Sequence, residues 1–261
     1  MDIKGKTIVV TGAGSGIGRA LVKRFTAEGA GHIVSADLHA ETAQATASEY
    51  GGTAIQADVA GEDDVIGLIE EVESKIGPID LFCGNAGVGA APDLTSPNNE
   101  WQFCWDVNVM AHVYAARHLV PRMVARGGGY FMITASAAGL LNQIGGAAYG
   151  VTKHAAVGFS EWLALTYAHQ GIKVSTLCPQ AVRTAMTTQD GAEDNQGVKA
   201  AANDGMMEPD VLADFVMEGL AEERFLILPH GEVLEYMRRK TADYDRWIAG
   251  MNRLQQRLMS S

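Results

Sequence analysis

The sequence predicts an α/β fold: a doubly wound, seven-stranded parallel sheet in a single domain over residues 1–261, with a helical C-terminal tail. Three observations predict it. Short apolar runs rich in Val, Ile and Ala alternate with helical stretches, the pattern of parallel strands joined by crossover helices. The runs are nearly continuous rather than alternating apolar with polar, as expected of strands covered by helices on both faces. A length of 261 residues suits one large domain with a well-buried core and is short for two.

The elements follow in order. TIVVTG forms the first strand and passes through glycines into a helix over 16–29. GHIVSAD, ending in Asp37, is the second strand, with a helix over 39–50 behind it. TAIQADV is the third strand. The helix after it, over 61–76, opens with the acids of GEDD, which suit a helix N-terminus, and ends at Gly77 and Pro78. IDLFCGNAG is the fourth strand; a helical stretch over 98–126 follows, interrupted and kinked by Pro121. GYFMITAS is the fifth strand, followed by a helix over 146–170. IKVSTLCP is the sixth, and a helix over 208–223 leads to the seventh, RFLILPH. Two regions break the alternation. Residues 184–207 are polar and rich in Gly and Ala, the composition of a substrate lid. The tail over 231–259 is helical, with apolar residues at Val233, Leu234, Met237, Trp247, Ile248, Met251 and Leu254. These need a surface to pack against: the pocket of their own subunit or a neighbour's, or an oligomer interface. No linker, repeat or low-complexity tract divides the chain.

Composition excludes several function classes. With 47% hydrophobic and 20% charged residues the chain is an ordinary globular one. A formal charge of −11 would repel nucleic acid and anionic membrane, so neither is expected as a partner. Cys83, Cys104 and Cys178 lie far apart without a CxxC pair, which suits neither a disulfide framework nor a metal site and fits a reducing, cytoplasmic setting. No run approaches the ~20 apolar residues of a membrane span.

The stretch TGAGSGIG, residues 11–18, joins the first strand to the first helix. Such a turn brings backbone N–H groups close to a ligand at a helix N-terminus, where the dipole favours negative charge, so phosphate is the natural ligand. Its spacing is G-x-x-x-G-x-G at Gly12, Gly16 and Gly18, with Gly14 as a further small residue. The alternative is a tight turn that only packs helix on sheet. Asp37 ends the second strand nineteen positions after Gly18, where a carboxylate meets ribose hydroxyls and repels a 2′-phosphate. NAD is therefore favoured over NADP; the alternative is that Asp37 is only a solvated carboxylate at a strand end. Asp58, ending the third strand, is placed to bond an adenine amino group.

YGVTK, at 149–153, puts Tyr149 and Lys153 four apart on one helix face. A neighbouring ammonium favours the phenolate and is expected to lower the Tyr149 pKa from its ordinary value near ~10. Ser136 ends the fifth strand and Asn85 the fourth, at the same carboxyl edge as the glycine turn; Asn108 lies in the helix between. The parts converge on one crevice.

Together TGAGSGIG, GNAG, NV, Ser136 and YGVTK, in this order and spacing, resemble the short-chain dehydrogenase/reductase family in its compact group, over about residues 5 to 185. The resemblance implies a Rossmann-like domain, a nicotinamide cofactor, a small-molecule substrate and a homodimer or homotetramer. It makes Tyr149 the general acid/base, gives Lys153 the tasks of lowering its pKa and holding the nicotinamide ribose, has Ser136 orient the substrate oxygen, and has Asn108 support a water relay. Expected cofactor contacts are Gly12, Gly14, Ser15, Gly16, Ile17, Gly18, Asp37, Leu38, Asp58, Val59, Asn85, Ala86, Gly87, Tyr149, Lys153, Pro179 and Thr184, the last at the position that holds the carboxamide. This chain departs from the family in Gln180 after Pro179, in Gly84 before Asn85, and in the helical tail, which puts tetramer assembly in question.

Around the substrate Ser136, Ala138, Leu140, Leu141, Gln143, Ile144, Tyr149, Gln180 and the lid are expected. They are mostly apolar, with no Arg or Lys placed to grip a carboxylate or phosphate, which implies an uncharged, hydrophobic and even bulky secondary alcohol and its ketone. Met206 and Met207 either line the pocket or pack at a helix start. His154 is expected to serve packing or the surface, and Cys83 and Cys178 the core, since no acid or His is placed to activate them. Alternatives are an NADP-dependent carbonyl reductase of the same family, a methyltransferase, a non-catalytic dinucleotide sensor, and an epimerase or dehydratase of the related longer group.

Overall fold

The computed structural model describes residues 1–188, 196–202 and 205–260. Its frame is one seven-stranded parallel sheet: β1 Thr7–Thr11, β2 His32–Asp37, β3 Thr53–Gln56, β4 Leu81–Gly84, β5 Gly129–Thr134, β6 Ile172–Leu177 and β7 Leu226–Ile227, in spatial order β3-β2-β1-β4-β5-β6-β7. The order reverses at β1, and the crevice beside it lies at the carboxyl ends of β1 and β4. This is the Rossmann-like, doubly wound arrangement.

Helices α1 Gly16–Ala27, α2 Ala40–Tyr50 and α3 Glu62–Lys75 cross between the first four strands. α4 Asn98–Trp105 and α5 Ala111–Ala125 follow, joined by a π-helical turn over Asp106–Met110. Next come the short α6 Ala138–Leu141, α7 Ala147–Tyr167, α8 Ala185–Thr188 and α9 Gln196–Ala201. α10 Pro209–Ala221 precedes β7, and α11 Glu232–Ala242 and α12 Tyr244–Ser260 close the chain. Among the described residues no helix is long and apolar enough to cross a membrane.

The core has two faces because a strand sends successive side chains to opposite sides. Ile8 and Val10 of β1 join Leu21, Phe25, Leu212 and Val216 under α1 and α10. Val9, between them, joins Val65, Ile69, Leu119 and Met123 under α3 and α5. Continuous apolar strands are the direct consequence.

Several boundaries differ from the sequence expectation for local reasons. β3 stops at Gln56, short of Val59, because the Asp58 N–H donates to the Asp64 carboxylate of the α3 first turn at 2.9 Å and leaves the ladder. β7 is only two residues long; Pro229, lacking an N–H, closes off its extension. Pro121 sits inside α5, and the departure from α geometry in this stretch is the π turn at Asp106–Met110, before α5 begins. The tail is two helices rather than one. Asp243 breaks it with extended backbone and accepts the Arg246 N–H at 3.0 Å, the N-cap bond of α12.

Candidate functional site

The glycine turn at the end of β1 is built for backbone approach. Gly12 and Gly16 have φ of 64° and 50°, which side-chain-bearing residues rarely adopt. At Gly18 a Cβ would lie 2.1 Å from the Gly12 carbonyl oxygen, and at Gly12 one would lie 2.9 Å from the Ala86 Cα. The turn is held from three sides. The Thr11 hydroxyl accepts the N–H groups of Asn85 and Ala86 at 3.0 and 3.1 Å. Asn85 spans β1 and β5: its Nδ2 donates to the Thr11 carbonyl at 3.1 Å and its Oδ1 accepts the Thr134 hydroxyl at 3.2 Å. Thr46 of α2 donates to the Ala13 carbonyl at 3.0 Å. The Asn85 side chain is thus a tie between strands rather than an arm reaching into the crevice.

Asp37 faces this turn. Its Oδ2 accepts the Gly14 N–H at 2.9 Å, and its Oδ1 accepts the His39 N–H and the Thr42 hydroxyl at 3.1 and 3.2 Å. Ser15 is the residue preceding α1, and Ile17 turns inward against the core. Leu38 and Asp58 are exposed, Val59 packs against the second core face, and the Thr184 methyl lies against Gly16. The cradle and the aligned N–H groups fit a dinucleotide pyrophosphate at the α1 N-terminus.

On the other side of β4, α7 carries Tyr149 and Lys153. Lys153 is buried; its ammonium donates to the Thr134 carbonyl at 3.0 Å and lies 5.7 Å from the centre of the Tyr149 ring. Burial pulls its pKa down to about 8. Tyr149 departs from the sequence expectation. Burial raises its pKa above the ordinary phenol value, opposed by a hydrogen bond with Ser136, and the ammonium sits over the ring. Ser136 accepts the Ala138 N–H at 3.1 Å and faces the Pro179 carbonyl. Asn108, fully buried in the π turn, brackets Val88 with bonds of 2.9 Å to its N–H and carbonyl, and donates to the Thr152 hydroxyl at 3.0 Å. A π turn of this kind re-aims a side chain that a regular helix would place elsewhere. Here it aims Asn108 at the loop carrying Gly87, where a Cβ would lie 3.1 Å from the Lys153 ammonium nitrogen.

Ser136 and Tyr149 open onto a cavity of about 440 Å³. Ala138, Leu141, Gln143, Ile144 and Gln180 line it as expected, together with Met186 and Thr187 of α8 and Val198 of α9. Gln143 donates to the Gly197 carbonyl at 2.6 Å, tying α9 to this wall. Of the lid expected over 184–207, residues 189–195 and 203–204 lie outside the described residues. Leu140 turns away from the cavity into the cluster formed with Val233, and its carbonyl accepts the Lys240 ammonium at 2.6 Å. Met206 and Met207 do not line the cavity either; Met207 pairs with Val182 and packs on the core below α10. His154 bonds the Gly150 carbonyl of its own helix. Cys83 and Cys178 are buried, and burial raises both thiols, Cys178 to about 12, which leaves them inert.

Two features escaped sequence reasoning. Thr11 and Thr46 are ordinary strand and helix residues until their partners are known. His112 of α5 is fully buried, and a Cβ on Gly84 would lie 2.6 Å from its Nδ1; Gly84 leaves room for this imidazole. The tail, for which the pocket of its own subunit was one expected place, supplies Tyr236, Trp247, Met251 and Leu254 to that cavity. Its 3.6-residue apolar period was visible, but Leu234 and Ile248 of that period are exposed at 41% and 60%.

A glycine cradle at a topological switch point, a Tyr–Lys pair on one helix and a Ser beyond the next strand end thus meet at the carboxyl edge of the doubly wound sheet. The sequence model described as short chain dehydrogenase matches residues 6–195, and the chain belongs to that family. It is an oxidoreductase acting on alcohols. The chain is 34% identical to 1-deoxy-11-beta-hydroxypentalenate dehydrogenase of Streptomyces exfoliatus over 95% of this chain and 92% of that one. It is also 34% identical to 3beta-hydroxysteroid dehydrogenase 2 of Eggerthella lenta, over 70% and 73%. Among solved structures, a short chain dehydrogenase/reductase from Burkholderia phymatum in complex with NAD superposes with a TM-score of 0.85, 28% identity and coverage of 94% and 96%. L-sorbose reductase from Gluconobacter frateurii, complexed with NADPH, gives a TM-score of 0.75 at 32% identity, covering 87% of this chain and 97% of that one.

Proposed function

We propose that the chain is an NAD-dependent dehydrogenase, in one catalytic domain, that interconverts an uncharged, apolar secondary alcohol and its ketone. The observation that carries the reading is the cavity: Ser136 and Tyr149 share it, Lys153 is buried behind them, and among the described residues none that lines it bears a charge. The hydroxypentalenate relative acts, by its name, on an acid, and the hydroxysteroid relative on a fused-ring alcohol; an uncharged lining favours the second kind of ligand.

Within the site, the Ser136 hydroxyl donates to the substrate oxygen and orients it beside Tyr149. When bound, the nicotinamide dinucleotide supplies the hydride donor or acceptor. In oxidation the Tyr149 Oη takes the hydroxyl proton, and in reduction it returns that proton to the oxygen as negative charge develops there. The Lys153 ammonium, positively charged below about pH 8, lies 5.7 Å from the centre of the Tyr149 ring and favours the phenolate against the burial that disfavours it. Asn108 holds the Gly87–Val88 loop against Lys153, and α8 and α9 stand at the wall of the substrate cavity.

Asp37 supports NAD over NADP, because its carboxylate stands beside the Gly14 N–H where a 2′-phosphate would meet negative charge. Fluorescence titration with NADH and NADPH tests this. NADH is expected to bind at least about tenfold more tightly, equivalent to about 1.4 kcal/mol, and Asp37→Ala to narrow the gap. Equal affinity in the unaltered protein would overturn the assignment.

A further inference from the structure

We infer that the C-terminal helix pair is the size-selective wall of the substrate pocket, with Trp247 and Met251 reading the part of a fused-ring alicyclic alcohol remote from its hydroxyl. The inference rests on the substrate class proposed above and adds the element that selects within it. α11 and α12 return over their own subunit: Val233 is fully buried, and Tyr236, Met237 and Trp247 pack with Ala137 and Leu141 beside the Ser136 strand end. Tyr236 and Trp247 meet with ring centres 6.3 Å apart, and Lys240 secures α11 to the Leu140 carbonyl. α12 in turn contacts α9, which Gln143 holds at the cavity.

The tail therefore brings two aromatic rings, a thioether and an aliphatic side chain into a space that already contains Ser136 and Tyr149. At about 440 Å³ the cavity falls within the ~300–1,000 Å³ range of small-molecule pockets. A single six-membered ring leaves most of that volume unfilled. Two or three fused saturated rings fill it, and the apolar area they bury scales with how much of the tail they reach. Among the described residues the polar side chains lining the space, Ser136, Asn142, Gln143, Tyr149, Gln180, Thr187 and Tyr236, are uncharged, and Ser136 and Tyr149 engage the reacting oxygen. Selection among alcohols thus falls to shape at the apolar end, where Trp247 and Met251 stand.

The test uses the full chain with NAD, comparing decahydro-2-naphthol with cyclohexanol. Trp247→Ala and Met251→Ala are expected to lower kcat/KM for the two-ring alcohol about tenfold through KM, to change that for cyclohexanol less than about twofold, and to leave NADH binding unchanged. Trp247→Phe should restore most of the loss. Ile248→Ala, on the exposed face of the same helix, should alter nothing. Equal losses for both alcohols, or none for either, would overturn the inference. A protein that binds NADH but oxidises neither alcohol would remove the proposed substrate class. The wall is then read by calorimetric binding of decahydro-2-naphthol, which Trp247→Ala must still weaken about tenfold; an unchanged affinity, or no binding to the unaltered protein, rejects it.

Discussion

His112→Leu should make the protein more resistant to acid. The His112 imidazole is fully buried against Gly84, no hydrogen bond to its Nε2 is present, and burial, aided by the Lys153 charge, pulls its pKa from 6.5 down to about 3. Between those values the unfolded chain binds a proton at this site and the folded chain does not. Stability therefore falls as pH falls through the window, and is unaffected by this group above it. The linkage relation gives a loss of about 2 kcal/mol between pH 6.5 and pH 5. The carboxylates that pairing holds below their ordinary values, such as Glu62 and Glu223, lose their contribution only at lower pH. Urea unfolding at pH 7 and pH 5 measures the effect: the difference should be about 2 kcal/mol smaller in His112→Leu. At pH 7 the variant should be near neutral, because an imidazole without a partner at Nε2 is exchanged for an apolar side chain of similar size. Identical pH dependence in the two proteins would refute the argument.

Three further outcomes are expected. Gly18→Ala should abolish NADH binding, since its Cβ would stand 2.1 Å from backbone that cannot yield, whereas Gly67→Ala on α3, with nothing within 4 Å of its Cβ, should leave binding unchanged; comparable titrations would count against the cradle. Thr11→Val should destabilise the fold by roughly 2 kcal/mol or more in urea unfolding, as it leaves the Asn85 and Ala86 N–H groups without their acceptor. Lys153→Ala should reduce both turnover and NADH affinity, and a variant losing only turnover would assign the ammonium to proton chemistry alone.

Much of this was legible in advance, and the physical reason is periodicity. The strands are apolar on both faces, the turn needs positive φ at Gly12 and Gly16, and Tyr149 and Lys153 are one helical turn apart; each is a local property of the chain. What was not legible depends on contacts between residues remote in sequence. Asn85 looks like a ligand arm until Thr11 and Thr134 are seen to hold both ends of its amide. Gly84 looks like a neutral departure until His112, 28 positions on, is found in its space. The ammonium was expected to dominate the Tyr149 pKa, whereas enclosure of the phenol outweighs it. The tail announced itself as amphipathic, but only the break at Asp243 lets α12 turn back, and that break fixes which apolar residues reach the cavity.

The central claim is that Tyr149 moves the proton while the rest of the site binds and orients. It is tested most directly by Tyr149→Phe, measured for NADH binding and for oxidation of decahydro-2-naphthol and cyclohexanol in the same preparation. The account predicts near-normal NADH affinity and a loss of turnover of at least about a hundredfold, the usual scale of general acid–base catalysis. Turnover retained within a few-fold of the unaltered protein would contradict it.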